Sequence, residues 1–163
     1  MHAPDHDVTS GPARTCVLVL AGAAGSGKST VAAVLGAELG WPVLDADALH
    51  SAEAVARMAA GHGLSEAERA PWLARVAAAI DGRLGRGESV VVACSALRRE
   101  HRRVLMRDGV RFVLLDVPEV VLADRLRDRT GHFAGPALLP SQMAALEPPT
   151  GDEPVLVVDG TLP

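Results

Sequence analysis

The stretch "VLVLAGAAGSGKST", Val17 to Thr30, restricts this chain more than any other part of it. Gly22, Gly27, Lys28 and Ser29 fill the pattern G-x-x-x-x-G-K-[ST]. Such a loop needs a buried strand before it and a helix after it. Val17 to Ala21 is a short continuous apolar run, as expected of a strand covered on both faces. Ser29 to Leu39 reads as a helix, with Val31, Val34, Leu35 and Leu39 at helical spacing and Gly40 as a stop. Glycines let the backbone turn its N–H groups inward around an anion, and the helix N-terminus adds partial positive charge. Lys28 can reach terminal phosphates, and the Ser29 hydroxyl can hold Mg²⁺. The alternative is a glycine-rich strand-to-helix turn with no ligand, which gives Lys28 and Ser29 nothing to do.

The rest of the chain repeats the strand-helix alternation. Trp41-Pro42-Val43-Leu44 leading into "DADALH", Asp45 to His50, reads as a short strand ending in acidic residues, and "SAEAVARMAAGHG" as a helix ended by Gly61 and Gly63. Ser65 with Glu68 three residues on is a capping box, opening a helix to about Gly85 with Pro71 near its start or between two pieces. Ser89 to Leu97 reads as a buried strand, followed by a basic helix stopped by Gly109, a strand over Arg111 to Val117, and a helix entered at Pro118. A Gly/Pro-bearing loop, a short helix in "SQMAALE" and a last strand over Val155 to Gly160 complete the pattern. The expectation is an α/β, three-layer fold: a five-stranded parallel sheet with helices on both faces. Ligands then belong at the carboxyl ends of the strands, where Gly22, the Asp45/Asp47 pair and Ser95 fall.

Composition narrows the function classes. At 163 residues, 48% of them hydrophobic, one domain over residues 15–163 is expected. The polar stretch over 1–14 reads as a disordered leader without the apolar core of a signal peptide. No run approaches the ~20 apolar residues of a membrane helix, so a soluble cytoplasmic protein with no membrane partner is expected. The net charge of -4 and 2% aromatic content argue against a nucleic-acid surface. Cys16 and Cys94 sit in apolar runs and read as buried thiols.

Beyond the loop, Asp45 and Asp47 follow a strand, where one can serve Mg²⁺ and the other can accept a proton from a hydroxyl. A cap or turn is the plainer reading of the same pair. Arg125 and Arg129 lie four apart ahead of "TGHFAG", placed to close over a nucleotide; on spacing alone they make a solvated face. Arg98 and Arg102 also lie four apart, sharing one helical face near a strand end. They can hold a substrate carboxylate or be solvated.

The stretches "GAAGSGKST", "DADALH", "RMAAGHGLSEAERAPWL", "CSALRREHRRVL" and "RDRTGHFAGPALLPSQMAALEPP" together resemble the gluconokinases, P-loop small-molecule kinases related to shikimate and adenylate kinases. The resemblance covers Val17 to Asp159 and implies ATP and Mg²⁺ as cofactors, a sugar acid as substrate, most of all D-gluconate, and a homodimer. It implies phosphate binding by Gly22, Ala23, Ala24, Gly25, Ser26, Gly27, Lys28, Ser29 and Thr30, and metal binding by Ser29 and Asp45. Lys28, Asp47, Arg125 and Arg129 would carry the transfer; Asp47, His50, Arg57, Arg98, Arg102 and His132 would hold the acceptor. A substrate-binding segment is expected over about 47–75 and a lid over about 125–139. Ala46, Ser51, Ala54 and His101 depart from the family pattern, all in the acceptor half. The family usually closes with a helix after the last strand, whereas four residues follow Asp159 here, so part of the core or adenine pocket is expected to be open. Kinases of other small acceptors, shikimate-like or nucleotide, and a nucleotide-binding module without turnover remain as alternatives.

Overall fold

Five apolar segments become five parallel strands in the computed structural model, which describes residues 14–162. The leader expected over 1–14 therefore lies, apart from Arg14, outside the described residues. The strands are β1 (Val17–Ala21), β2 (Val43–Asp45), β3 (Val90–Ala93), β4 (Val110–Asp116) and β5 (Val155–Asp159), in the order β2-β3-β1-β4-β5. The helices are α1 (Lys28–Leu39), α2 (Ala52–Ala59), α3 (Glu66–Gly85), α4 (Arg99–Leu105), α5 (Glu119–Arg127) and α6 (Leu139–Ala145). Short 3-10 turns span Ala46–Leu49 and Pro136–Leu138.

Side chains alternate along a strand, so each strand feeds two layers. Val17, Val19 and Ala21 join Val90, Val92, Phe112 and the α3 stripe Trp72, Val76 and Ile80 in one core. Leu20, Val91 and Ala93 face the other way, against Ala32 of α1. A third cluster gathers Met58, Leu97, Leu122, Leu126, Leu138 and Leu139 around Ala23 and Ala24 of the loop after β1. The chain leaves β1 toward β2 and leaves β3 toward β4, so α1 and α4 cover opposite faces and a crevice opens at the carboxyl ends of β1 and β3.

Local signals account for most boundaries. Gly40 ends α1 in the left-handed conformation, at φ 66°. Ser65 and Glu68 form the reciprocal cap that starts α3, and Pro71 is absorbed within one 20-residue helix rather than dividing two. Two segments are shorter than expected. The strand expected over Ser89 to Leu97 stops at Ala93, the partner of Asp45 at the end of β2; the chain then turns through Ala96 at φ 40°. The helix expected to run to Gly109 stops at Leu105, whose carbonyl accepts from the Arg107 guanidinium at 2.9 Å. Cys16 and Cys94 are free thiols, and burial pushes Cys94 up to about 12. Among the described residues, no helix is long and apolar enough to cross a membrane.

Candidate active site

A cleft of about 850 Å³ opens at the carboxyl ends of the strands, lined by the loop after β1, Asp47, His50, Arg69, Trp72, Arg125, Arg129, His132 and Gln142. The loop's shape depends on its glycines. Gly22 has φ 146°, and a Cβ there would stand 2.6 Å from Ser26 Oγ and 3.0 Å from the Leu115 carbonyl. Gly27 has φ 97° and faces open space. Lys28 Nζ folds back to donate to the carbonyls of Gly22 and Ala23, both at 2.9 Å, which holds the ammonium over the mouth of the loop. Ala24 to Thr30 line the cleft together, with Ser29 and Thr30 exposed at the start of α1. Arg125 donates to the Gly25 carbonyl at 3.2 Å and to the Gly160 carbonyl at 3.0 Å, tying the loop to the end of β5.

Across the cleft, Asp45 Oδ1 accepts from the Asp47 N–H at 2.9 Å, which turns the chain and aims Asp47 inward. His132 Nδ1 accepts from the Ala134 N–H at 3.0 Å, so its proton sits on Nε2, 3.3 Å from Asp47 Oδ2. Burial raises the Asp47 carboxyl above the usual carboxylate range, with Lys28 the chief opposing charge. The same burial lowers Lys28, against the pull of Asp47. Arg129 makes itself felt at both groups, so its charge reaches the centre of the cleft. His50 stacks on Trp72 at 4.3 Å, and Trp72 Nε1 donates to the Ala46 carbonyl at 2.7 Å. Burial brings His50 down to about 4, so its ring is neutral at neutral pH.

The expected site residues separate into three groups. The loop, Asp47, His50, Arg125, Arg129 and His132 do meet in the cleft. Asp45 is exposed just outside it, with one oxygen spent on the turn. Arg57, Arg98 and Arg102 do not reach it. Arg57 is half exposed and donates to the Gly63 carbonyl at 3.3 Å, bracing the turn between α2 and α3. Arg98 is the N-cap of α4 rather than part of its face; it lines a smaller neighbouring cavity of about 270 Å³, with Glu66 at 3.2 Å and Glu147 at 3.7 Å. Arg102 corrects the carboxylate expectation outright. It is 1% exposed and grips Glu153 with two hydrogen bonds, of 2.8 and 3.0 Å, while donating to the Leu97 carbonyl at 3.0 Å. Arg102 does not line the cleft.

Two cleft residues escaped the sequence reading. Arg69 lines both cavities, one turn before Trp72 on the same face of α3, and that i, i+3 spacing was the available signal. Gln142 lies between Leu139 and Ala145, the two buried positions of α6, so it is a polar residue on an apolar face. Two departures from the family pattern also find their reasons. Ala46 is buried outside the left-handed region, so the position makes no demand for glycine. His101 is 2% exposed and places Nε2 2.8 Å from Glu66 Oε2.

The donors present suit a hard cation. Ser29 offers an exposed hydroxyl in the cleft and Asp45 a free second oxygen, which are the oxygen ligands Mg²⁺ takes beside nucleotide phosphates. Among the described residues no cluster of three or more His, Cys, Asp or Glu side chains could hold a metal.

The AAA domain family matches residues 17–149. The gluconokinase of Gluconobacter oxydans is 45% identical over 145 residues, 88% of this chain and 82% of that protein. The solved structure of a sugar kinase from Janibacter sp. superposes with a TM-score of 0.85 at 41% identity, covering 91% of this chain and 87% of that one. A gluconokinase structure from Sinorhizobium meliloti gives 0.79 at 39% identity, covering 92% and 85%. With its phosphate loop, acidic turn and five-stranded parallel sheet in one arrangement, the chain belongs to the gluconokinase family of P-loop kinases.

Proposed function

We infer that this protein transfers the γ-phosphoryl group of ATP to the terminal hydroxyl of D-gluconate, releasing ADP and 6-phosphogluconate. One observation carries the reading: Asp47, aimed inward by its turn with His132 Nε2 3.3 Å from its Oδ2, shares the cleft with the phosphate-loop Lys28. The loop N–H groups and Lys28 receive the phosphates. The acceptor hydroxyl gives its proton to Asp47 as its oxygen bonds to the γ-phosphorus, and the bond from that phosphorus to the β,γ-bridging oxygen breaks. Charge gathering on the transferred group is met by Lys28, Arg125 and Arg129, so the protein's part is mostly positioning and neutralisation. Ser29 and Asp45 would hold Mg²⁺, which when bound supplies further neutralisation of the phosphates. His132 and Phe133, on the proposed lid, contact Asp47 and His50, and closure of the lid would exclude water there. For the acceptor's carboxylate, Arg69 replaces the arginines favoured by spacing, because it lines the cleft while only its Nη1 is engaged by Glu66, whereas Arg102 is buried on Glu153.

Acceptor-dependent ADP release, measured across gluconate, other aldonic acids, neutral polyols and shikimate, tests the reading. Gluconate should be preferred, and Lys28→Met should reduce turnover by about 10²-fold or more. ADP release that ignores every acceptor, or a preference for shikimate, would overturn it.

A further inference from the structure

Gln142 joins two parts of the molecule that the functional reading treats separately. Its side-chain Oε1 accepts from the main-chain N–H of Ala24, 118 positions away, at 2.7 Å. Ala24 directly follows the two residues whose carbonyls hold the Lys28 ammonium, so this bond lies at the mouth of the phosphate loop. A loop N–H requires an acceptor, which fixes the amide's orientation: oxygen toward Ala24 and Nε2 outward. Among the described residues, nothing accepts from Nε2. Gln142 also lines both the main cleft and the smaller cavity beside it. Of the other residues common to both, Met58 and Leu64 are apolar and Arg69 is cationic. The junction therefore contains one neutral hydrogen-bond donor, held rigidly by a helix whose Leu139 and Ala145 are buried in the third core cluster.

Resting on the gluconate reading above, we propose that Gln142 is a substrate-positioning residue: its Nε2 donates to a chain hydroxyl of an open-chain polyhydroxy acid lying from Asp47 toward Arg69. Oε1 stays on Ala24, so the phosphate loop itself sets the position of the donor. The acceptor is thereby registered against the nucleotide through a single side chain. A neutral amide suits this place. A carboxylate would repel the phosphates and the acid alike, and a cation would compete with Lys28 for them.

Two variants separate this role from a structural one. Gln142→Glu keeps an oxygen for the Ala24 N–H but has no donor, and Gln142→Met has neither. Both should lower kcat/KM for gluconate by roughly tenfold or more, the scale of one lost substrate hydrogen bond together with the polar group left unpaired. The dissociation constant for ADP without acceptor, measured by calorimetry, should rise far less in Gln142→Met than kcat/KM for gluconate falls, although the Ala24 N–H loses its partner. Among deoxygluconates, the one lacking the hydroxyl that Gln142 reads should be penalised in the wild type and lose little more in Gln142→Met. Gln142→Glu with wild-type kcat/KM, ADP binding that falls in Gln142→Met as far as kcat/KM, or every deoxy analogue losing as much again in that variant would each overturn the proposal. A wild-type chain inert toward gluconate but active on another acceptor would instead overturn the functional reading, and this role with it.

Discussion

Asp47 illustrates how one residue's chemistry depends on its surroundings. In water its carboxyl would be a weak base; desolvation raises it, while Lys28, His132 and Arg129 oppose the rise without cancelling it. A base must be deprotonated to work, so turnover should fall as pH drops through the elevated Asp47 value. The acid limb of the kcat/KM profile for gluconate should accordingly lie above the usual carboxylate range. Asp47→Asn keeps the side chain's shape and cannot take a proton; kcat should drop by about 10²-fold or more with ADP affinity within a few-fold. Equal losses in nucleotide binding and turnover would make Asp47 a metal ligand instead. His50 contributes in the opposite sense. With its value brought down to about 4 by burial, it presents a neutral ring against Trp72 and places no charge beside Asp47.

Among the elements, the connection from α5 to α6 carries the proposed lid. It runs from the end of α5 at Arg127 to the turn at Pro136, with Gly131 at φ 83°, and it touches the cleft through the His132–Asp47 and Phe133–His50 contacts. Those contacts are few, and its arginines are exposed. Trypsin should therefore cut after Arg129 in the free protein, and ATP with gluconate should slow that cut several-fold. His132→Ala should speed cleavage without ligands, since it removes the link to Asp47. A cleavage rate indifferent to both ligands would refute a closing lid. The adjoining α6 behaves differently, because the third core cluster and the Ala24–Gln142 bond anchor it to the phosphate loop.

At the scale of the whole molecule, Arg102 is part of the framework. Its double hydrogen bond to Glu153 ties α4 to the segment that leads into β5, with exposures of 1% and 9% at the two side chains. Removing one partner of a buried pair costs up to about 3–5 kcal/mol, here reduced because Glu153 keeps the Thr150 N–H at 3.3 Å and Arg99 at 3.9 Å. Arg102→Met should lower unfolding stability by a sizeable part of that amount and leave the gluconate KM unchanged, and Arg102→Met with Glu153→Met should cost less than the single change. Denaturant titrations beside steady-state kinetics check both statements. A sharply raised KM with unaltered stability would return Arg102 to the substrate.

The sequence by itself determined the phosphate loop, the strand-helix alternation, the αL stop at Gly40 and the cap at Ser65, because each rests on residues within a turn or two of one another. It also pointed to Asp47, Arg125 and Arg129, which follow a strand end or precede a glycine-bearing loop, while His132 came only from the family resemblance; all four line the cleft. Only the tertiary structure decided which arginine faces the cleft. Arg98 and Arg102 match at helical spacing, yet Glu153, 51 positions from Arg102, turns it inward, while Glu66 and Glu147 engage Arg98. Gln142 was likewise out of reach, because its partner Ala24 is 118 positions away. Periodicity reports which face of an element is buried, but a side chain's partner depends on how elements distant in the chain come together, and no local pattern records that.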